Sequence, residues 1–488
     1  MKPGLVLFLL LIFISEKAIS KTYYVATNGS DLNAGTIDAP FKSLKKALGK
    51  SDMDVILIRG GTYYITGDSS VSINKIGTGP GAYRMENYPG ERPLFDCSGL
   101  NAAKRGFSVS GTYWLIKGID IMKARDNGMY ISGSNNIIEF CSFFENEDSG
   151  LQLSGGASNN TIINCDSYFN KDATSENADG FACKLDVGTG NAFKGCRSWQ
   201  NSDDGWDGYM RPSDNVSTTL DSCWSFRNGY LKSGALSGVN GDGNGFKMGG
   251  SDLSNLRHNM TLTHCVAFYN RKRGFDQNNN KGSMTLYNNT SFSNAGGNYI
   301  MNSNTLSAGS VMTVKNCIAF TSTGTAGSNA FISGSIIQTN SWQSPFITNN
   351  ADFISIDTVG ARGPRKPDGS LPDINFMQLA TGSDLIDAGQ NVGLNFNGTA
   401  PDLGAFETAP VASANFIFNG NGNWNIASNW LNNLIPPATL NAGSQITIDP
   451  VIGGNCILNI SYTLSPAAIF TVMAGKNLII QGNLSIAN

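Results

Sequence analysis

Seven short segments of this chain share one pattern, and that pattern limits the fold more than any other feature. They are "CSFFEN" from Cys141, "CDSYFN" from Cys165, "CRSWQN" from Cys196, "CWSFRN" from Cys223, "CVAFYN" from Cys265, "NTSFSN" from Asn289 and "CIAFTS" from Cys317. The fourth position is always aromatic (Phe144, Tyr168, Trp199, Phe226, Phe268, Phe292, Phe320). The sixth is asparagine in all but the last (Asn146, Asn170, Asn201, Asn228, Asn270, Asn294). Successive segments start 24, 31, 27, 42, 24 and 28 residues apart. A nearly fixed period with variable insertions is the mark of a solenoid whose coils stack while loops bulge out. Short β-branched or alternating runs (Ile137-Ile138, Thr161 to Ile163, Met260 to Thr263, Met284 to Tyr287) supply strands.

The fold expected is therefore all-β, a parallel β-helix. Its stacked positions form internal ladders of aromatics, asparagines and cysteines, with the Asn amides hydrogen-bonded from coil to coil. The chain has nine cysteines. In the ladder they read as buried thiols rather than disulfides, because parallel-stacked side chains point the same way and suit S–S geometry poorly.

A second column runs beside the first. Each turn is followed by glycine and a strand: Gly128, Gly150, Gly180, Gly205, Gly245, Gly274, Gly297. With a strand period of two, the next residue faces inward (Met129, Leu151, Phe181, Trp206, Phe246, Phe275). The one after faces outward, and that column reads Tyr130, Gln152, Ala182, Asp207, Lys247, Asp276, Tyr299. The position before glycine reads Asn127, Ser149, Asp179, Asp204, Asn244, Arg273, Gly296. Coils stack about 4.8 Å apart. Asp179 is thus expected beside Asp204, and Asp207 beside Lys247.

Four carboxylates on two adjacent rungs, Asp179, Asp203, Asp204 and Asp207, make a hard-oxygen cage suited to Ca²⁺ rather than to zinc or a soft metal. The plain alternative is a solvated acidic turn. Lys247 reads either as a salt-bridge partner of Asp207 or as a general base, and a base needs a pKa well below the ordinary value of about 10.4. Arg271, Lys272 and Arg273, one coil further on, read as an anion-attracting platform or as a solvated turn. Calcium, a lysine base and a basic platform point to β-elimination on a uronic acid polymer. A glycoside hydrolase would instead place two carboxyls at a set separation, one of them a protonated acid. Two other classes stay open: a uronan-binding module without catalysis, and a structural β-helix stiffened by calcium.

The blocks "NADGFACKLDVGTGNAFKGCRSWQNSDDGWD", "GNGFKMGG" and "RKRGFDQNNNKGSMTLYNN" resemble polysaccharide lyase family nine. The resemblance covers most of residues 21–407. It includes the entry "KTYYVATNGSDLNAGTIDAPFKSLKKAL" and the closing "PDLGAFE", phrases that recur in many secreted β-helix proteins and carry little weight. It implies a right-handed β-helix acting on pectic substrates, chiefly polygalacturonate, with rhamnogalacturonan I for some members. It also implies calcium on Asp179, Asp203, Asp204 and Asp207, with Lys247 as the proton-abstracting base. Arg273 and Asp276 lie in a family-like block and are taken, with Arg271 and Lys272, as substrate-binding candidates.

Three segments read separately. Residues 1–20, with one lysine, an apolar stretch and Ala18-Ile19-Ser20, read as a signal peptide cleaved after Ser20, implying a secreted or periplasmic protein. "KSLKKALG" reads as a short helix capping the open end of a 21–410 β-helix domain, and residues 345–407 as a finishing cap. Residues 411–488 read as a small β-rich module whose Trp424 and Trp430 either stack on glycan or fill its own core. A net charge of −3 argues against a nucleic-acid partner, no later apolar run is long enough to span a membrane, and a monomer is expected.

Overall fold

The computed structural model describes residues 20–408, 414–440, 443–465 and 468–486. The expected signal peptide, apart from Ser20, lies outside them. The chain divides into two compact units, 1–408 and 409–488.

In the first unit successive coils build three parallel sheets, of twelve, ten and ten strands, and the coils around the site give one strand to each. One coil contributes Asn191–Lys194, Arg197–Trp199 and Trp206–Asp207 in turn. This is a parallel β-helix. Alternate residues of the first sheet fill the interior, as Ile138, Ile162, Phe193, Leu220, Leu262, Leu286 and Val314 stack in register, all buried. The interior column of the second sheet is aromatic. Phe181, Trp206, Phe246, Phe275 and Tyr299 stack with centroids 4.8 to 5.0 Å apart.

Tyr299 thus faces inward, contrary to the outward position read from the sequence. Gly297 pairs with Arg273, so Asn298 takes the place of Gly274 and Tyr299 that of Phe275. The turn keeps its length, since Gly274 lies four residues after Asn270 and Asn298 four after Asn294. The glycine falls one place early at Gly297, so counting from it is off by one and assigns every side chain to the other face.

The asparagine ladder forms as expected. Side-chain amides link Asn146 to Asn170, Asn170 to Asn201, Asn201 to Asn228, Asn228 to Asn270 and Asn270 to Asn294 at 2.8 to 3.0 Å. The residue before each, from Glu145 and Phe169 to Tyr269 and Ser293, has φ between +49° and +60°. One left-handed residue makes the corner that swings the asparagine inside. All nine cysteines are buried free thiols.

The fourth-position aromatics do not join the interior. In each segment the first and third residues point in, so the fourth points out of the coil. Residues 353–405 cover it: Phe353, Phe376, Leu379, Leu385 and Leu403 pack on Trp199, Phe226, Phe268, Phe292 and Phe320 in a second core. The expected finishing cap is therefore a strap along the flank. It is fastened by Arg365, which donates to Asp166 Oδ1 at 2.6 Å, and by Arg197, which donates to the carbonyls of Ala361 and Gly363.

At the N-terminal end the expected helix forms at Leu44–Leu48, with Ser43 accepting from the Lys46 N–H and Leu44 and Ala47 buried. In the second unit, three parallel sheets of three strands make a short solenoid of its own. Trp424 and Trp430 are in its core, so they present no face for sugar stacking. Among the described residues no helix is long and apolar enough to cross a membrane.

Candidate active site

The site grows from the glycine column. A Cβ on Gly180 would lie 2.0 Å from Ser198 Oγ, and one on Gly205 2.0 Å from Ser225 Oγ. Buried serines from the neighbouring sheet occupy that space, so only glycine fits. Just before these glycines, each acidic side chain accepts from the backbone of the next coil. The Asp204 N–H donates to Asp179 Oδ1 at 3.2 Å, the Asn244 N–H to Asp204 Oδ1 at 2.6 Å and the Arg273 N–H to Asn244 Oδ1 at 3.2 Å. The Asn244 amide also donates to Asp204 Oδ1, at 2.9 Å. One oxygen of each aspartate is thus fixed; the other of Asp204 is left for the site, while that of Asp179 accepts from Lys184 Nζ at 2.7 Å and the Ser149 hydroxyl at 3.0 Å.

Asp179, Asp203 and Asp204 come together. One carboxylate oxygen from each lies within 4.8 Å of the others, and all three residues are buried. Asp207 stands just outside this trio, held between two ammoniums. Its Oδ2 lies 3.3 Å from Lys184 Nζ and its Oδ1 3.6 Å from Lys247 Nζ. Lys247 and Asp207 are register partners on adjacent coils. Lys247 Nζ also lies 3.1 Å from Asp204 Oδ2, yet that oxygen accepts no well-aligned hydrogen bond and remains a buried acceptor without one.

The basic run is divided in its contacts. Arg271 donates to the carbonyls of Ser237, Gly238 and Gly241, pinning the loop that leaves the coil at Gly229 and returns at Gly243. Those two glycines cross with left-handed backbone, φ +79° and +76°, and a Cβ on Gly243 would fall 2.7 Å from the Gly229 Cα. The loop delivers the Asp242 N–H to Asp203 Oδ1 at 2.5 Å. Lys272 pairs with the Asp242 carboxylate, and Arg273 with Asp276 Oδ1 at 2.7 Å. Asp276 is itself the register partner of Lys247.

Sequence reasoning missed three members. Lys184 donates to Asp179 Oδ2 at 2.7 Å, and Asp242 and Asn244 hold the acidic residues in place. Lys184 was visible in principle, since it lies two residues beyond outward Ala182 and so faces the same way. Asp242 sits in a loop with no repeat to align.

The electrostatics follow from burial against charge. Burial drives the Asp203 carboxyl up, and Asp204 and Asp179 drive it further. Burial likewise raises Asp179 to about 8 and Asp204 to about 6, the nearby lysines counteracting only in part. Burial also pushes Asp207 up, but Lys247 and Lys184 outweigh it and hold that carboxyl below its usual range. For Lys247, burial favours the neutral amine, yet Asp207, Asp204, Asp203 and Asp179 together keep it charged. His258 lies behind the strand, fully buried, and burial lowers it to about 4. Its ring nitrogens are engaged by the Gly208 carbonyl and the Thr218 hydroxyl.

The donor set is all carboxylate oxygen, buried, in excess over the lysines present, and includes one acceptor lacking a hydrogen bond. A hard divalent cation fits such a set.

Residues 23–329 match the family model of the Pel9A-like right-handed β-helix region. The chain belongs to this family. The Pel9A-like chain is 38% identical over 406 residues to pectate lyase L of Dickeya chrysanthemi, covering 81% of this chain and 91% of that one. Its fold matches the crystal structure of pectate lyase Pel9A with a TM-score of 0.72 and 36% identity, over 80% and 97% of the two chains. A rhamnogalacturonan lyase matches with a TM-score of 0.64 and 29% identity, over 74% and 97%. The coil is right-handed, and the protein is a polysaccharide lyase of the pectate lyase type.

Proposed function

We propose that this enzyme cleaves the galacturonate-containing backbone of pectin by calcium-dependent β-elimination, with Lys247 as the base. The observation that carries this reading is the placement of Lys247 directly beside Asp207 and against the trio of Asp179, Asp203 and Asp204. Those three aspartates, with Asp207, would hold Ca²⁺. Calcium bound there would neutralise the carboxylates and, through the sugar carboxylate, acidify the proton on the adjacent carbon.

Lys247 Nζ takes that proton. The C–H electron pair forms the new ring double bond, and the glycosidic oxygen on the neighbouring carbon departs. To act, Lys247 must be neutral, whereas four aspartates hold it charged. Cancelling their charge is therefore a precondition for the base. Lys272 and Arg273 supply positive charge to an anionic plant cell-wall chain, Asp276 orients Arg273, and Arg271 holds the loop that carries Asp242. The apolar leader of residues 1–20 supports export to the extracellular or periplasmic space.

The likeness to a rhamnogalacturonan lyase favours a second reading, in which the same chemistry acts on rhamnogalacturonan I. Incubating the enzyme with polygalacturonate and with rhamnogalacturonan I, each with calcium or with a chelator, tests both. An ultraviolet-absorbing unsaturated product formed faster from polygalacturonate, and only with calcium, supports the first. Faster product from rhamnogalacturonan I favours the second.

A further inference from the structure

Lys184 is 7% exposed. Its Nζ lies 2.7 Å from Asp179 Oδ2 and 3.3 Å from Asp207 Oδ2, carboxylates on adjacent coils. Its backbone is locked on both sides, the N–H donating to the Leu153 carbonyl and the carbonyl accepting from Ser154 Oγ. Ala182, two residues earlier on the same face, is small and buried.

We propose that Lys184 is a positioning residue that stands in for a second cation between Asp179 and Asp207, so that the acidic site accepts one divalent ion and not two. The inference deepens the calcium reading above and rests on it. In the fully ionised state that a bound cation requires, Asp179, Asp203, Asp204 and Asp207 carry four negative charges, against two positive ones on Lys184 and Lys247. The surplus is two negative charges, which one divalent ion cancels. Asp242 lies outside this count because Lys272 is paired with it. Without Lys184 the surplus would be three, with Asp207 Oδ2 turned toward a buried gap and Asp179 Oδ2 left with the Ser149 hydroxyl, 3.0 Å away, and no cation. Unpaired buried carboxylates are costly, and hard oxygens so placed attract a hard cation. The lysine also holds Asp179 and Asp207 in place before any metal arrives, so the site does not spend binding energy on collecting them.

The experiment compares wild type, Lys184→Met and Lys184→Arg by calcium titration calorimetry and by thermal unfolding with chelator or with saturating calcium. The proposal expects Lys184→Met to bind one more calcium per chain than wild type. Its Tm should fall by several degrees in chelator and recover in calcium. Lys184→Arg, which keeps the charge, should bind as wild type does. A Lys184→Met variant with unchanged stoichiometry and the same Tm loss with and without calcium overturns the proposal, because that is the behaviour of a packing residue. If Lys184→Met does not fold, the double variant Lys184→Met with Asp207→Asn decides. Restored folding with wild-type stoichiometry supports charge balance, and continued misfolding overturns it. A wild type that binds no calcium would instead sink the calcium reading itself.

Discussion

Lys247 and Asp207 are register partners on neighbouring coils, their side chains emerging from one face with Nζ and Oδ1 3.6 Å apart. The pair joins the proposed base to the proposed metal site through a single strand-to-strand step, so the two functions are separable by mutation. Lys247→Ala is expected to lower kcat by about 10² to 10⁴-fold, the usual contribution of a positioned base. Calcium affinity should hold or rise, since removing an ammonium leaves the carboxylates more negative. Steady-state kinetics with parallel calcium titration check this. An unchanged kcat would place the base elsewhere.

The calcium-free enzyme should lose stability as pH rises from about 5 to 8. Asp179 and Asp204 are raised to about 8 and about 6, against about 3.9 for an unfolded aspartate, and Asp203 is raised by the same burial. Between those limits the folded state binds more protons than the unfolded one, so the free energy of unfolding falls with rising pH. Saturating calcium should flatten the profile, and its binding should release protons within this window. Tm measured across pH in chelator and in calcium checks both. A chelated Tm that climbs from pH 5 to 8 contradicts the account.

All nine thiols should resist a thiol-reactive dye in the native protein and react fully once it is denatured. They line the interior, where the Cys141 N–H donates to Cys165 Sγ at 3.4 Å and the Sγ atoms face carbonyls of their own coils. Fewer than nine reactive thiols in denaturant without reductant would reveal disulfides.

Asn146→Ala should destabilise the β-helix by about 1–3 kcal/mol while leaving the active site intact. Its side-chain oxygen accepts from the Ala124 N–H, and its amide donates to Asn170 Oδ1. The substitution orphans a buried donor, the Ala124 N–H, and removes no side chain hydrogen-bonded to Asp179. Urea unfolding together with a kcat assay separates the two effects.

Much of this was legible because a solenoid repeats its own answer. Constant offsets from the glycine column (Gly180, Gly205, Gly245) placed Asp179 against Asp204 and Asp207 against Lys247 without knowledge of any loop. Legibility ended where the repeat did. At Asn298 the marker glycine stands one position early, at Gly297, so counting from it put the inward Tyr299 on the outside. Residues such as Phe169, Gln200 and Arg227 adopt the left-handed corner with none of the glycine or asparagine chemistry that normally signals it. The strap of residues 353–405 has no period to align, so the outward aromatic column seemed to need the interior. Asp242 reaches the site on an insertion outside the repeat, held by Arg271 and two crossing glycines.

The central claim is calcium-dependent elimination with Lys247 as the base, and one measurement tests it most directly. The enzyme and its Lys247→Ala variant are given polygalacturonate at alkaline pH with calcium, and the unsaturated uronide is followed by ultraviolet absorbance. The account predicts steady product from the wild type, none once calcium is chelated, and at most a trace from the variant. Equal product from both proteins, or saturated reducing ends without ultraviolet absorbance, would contradict it.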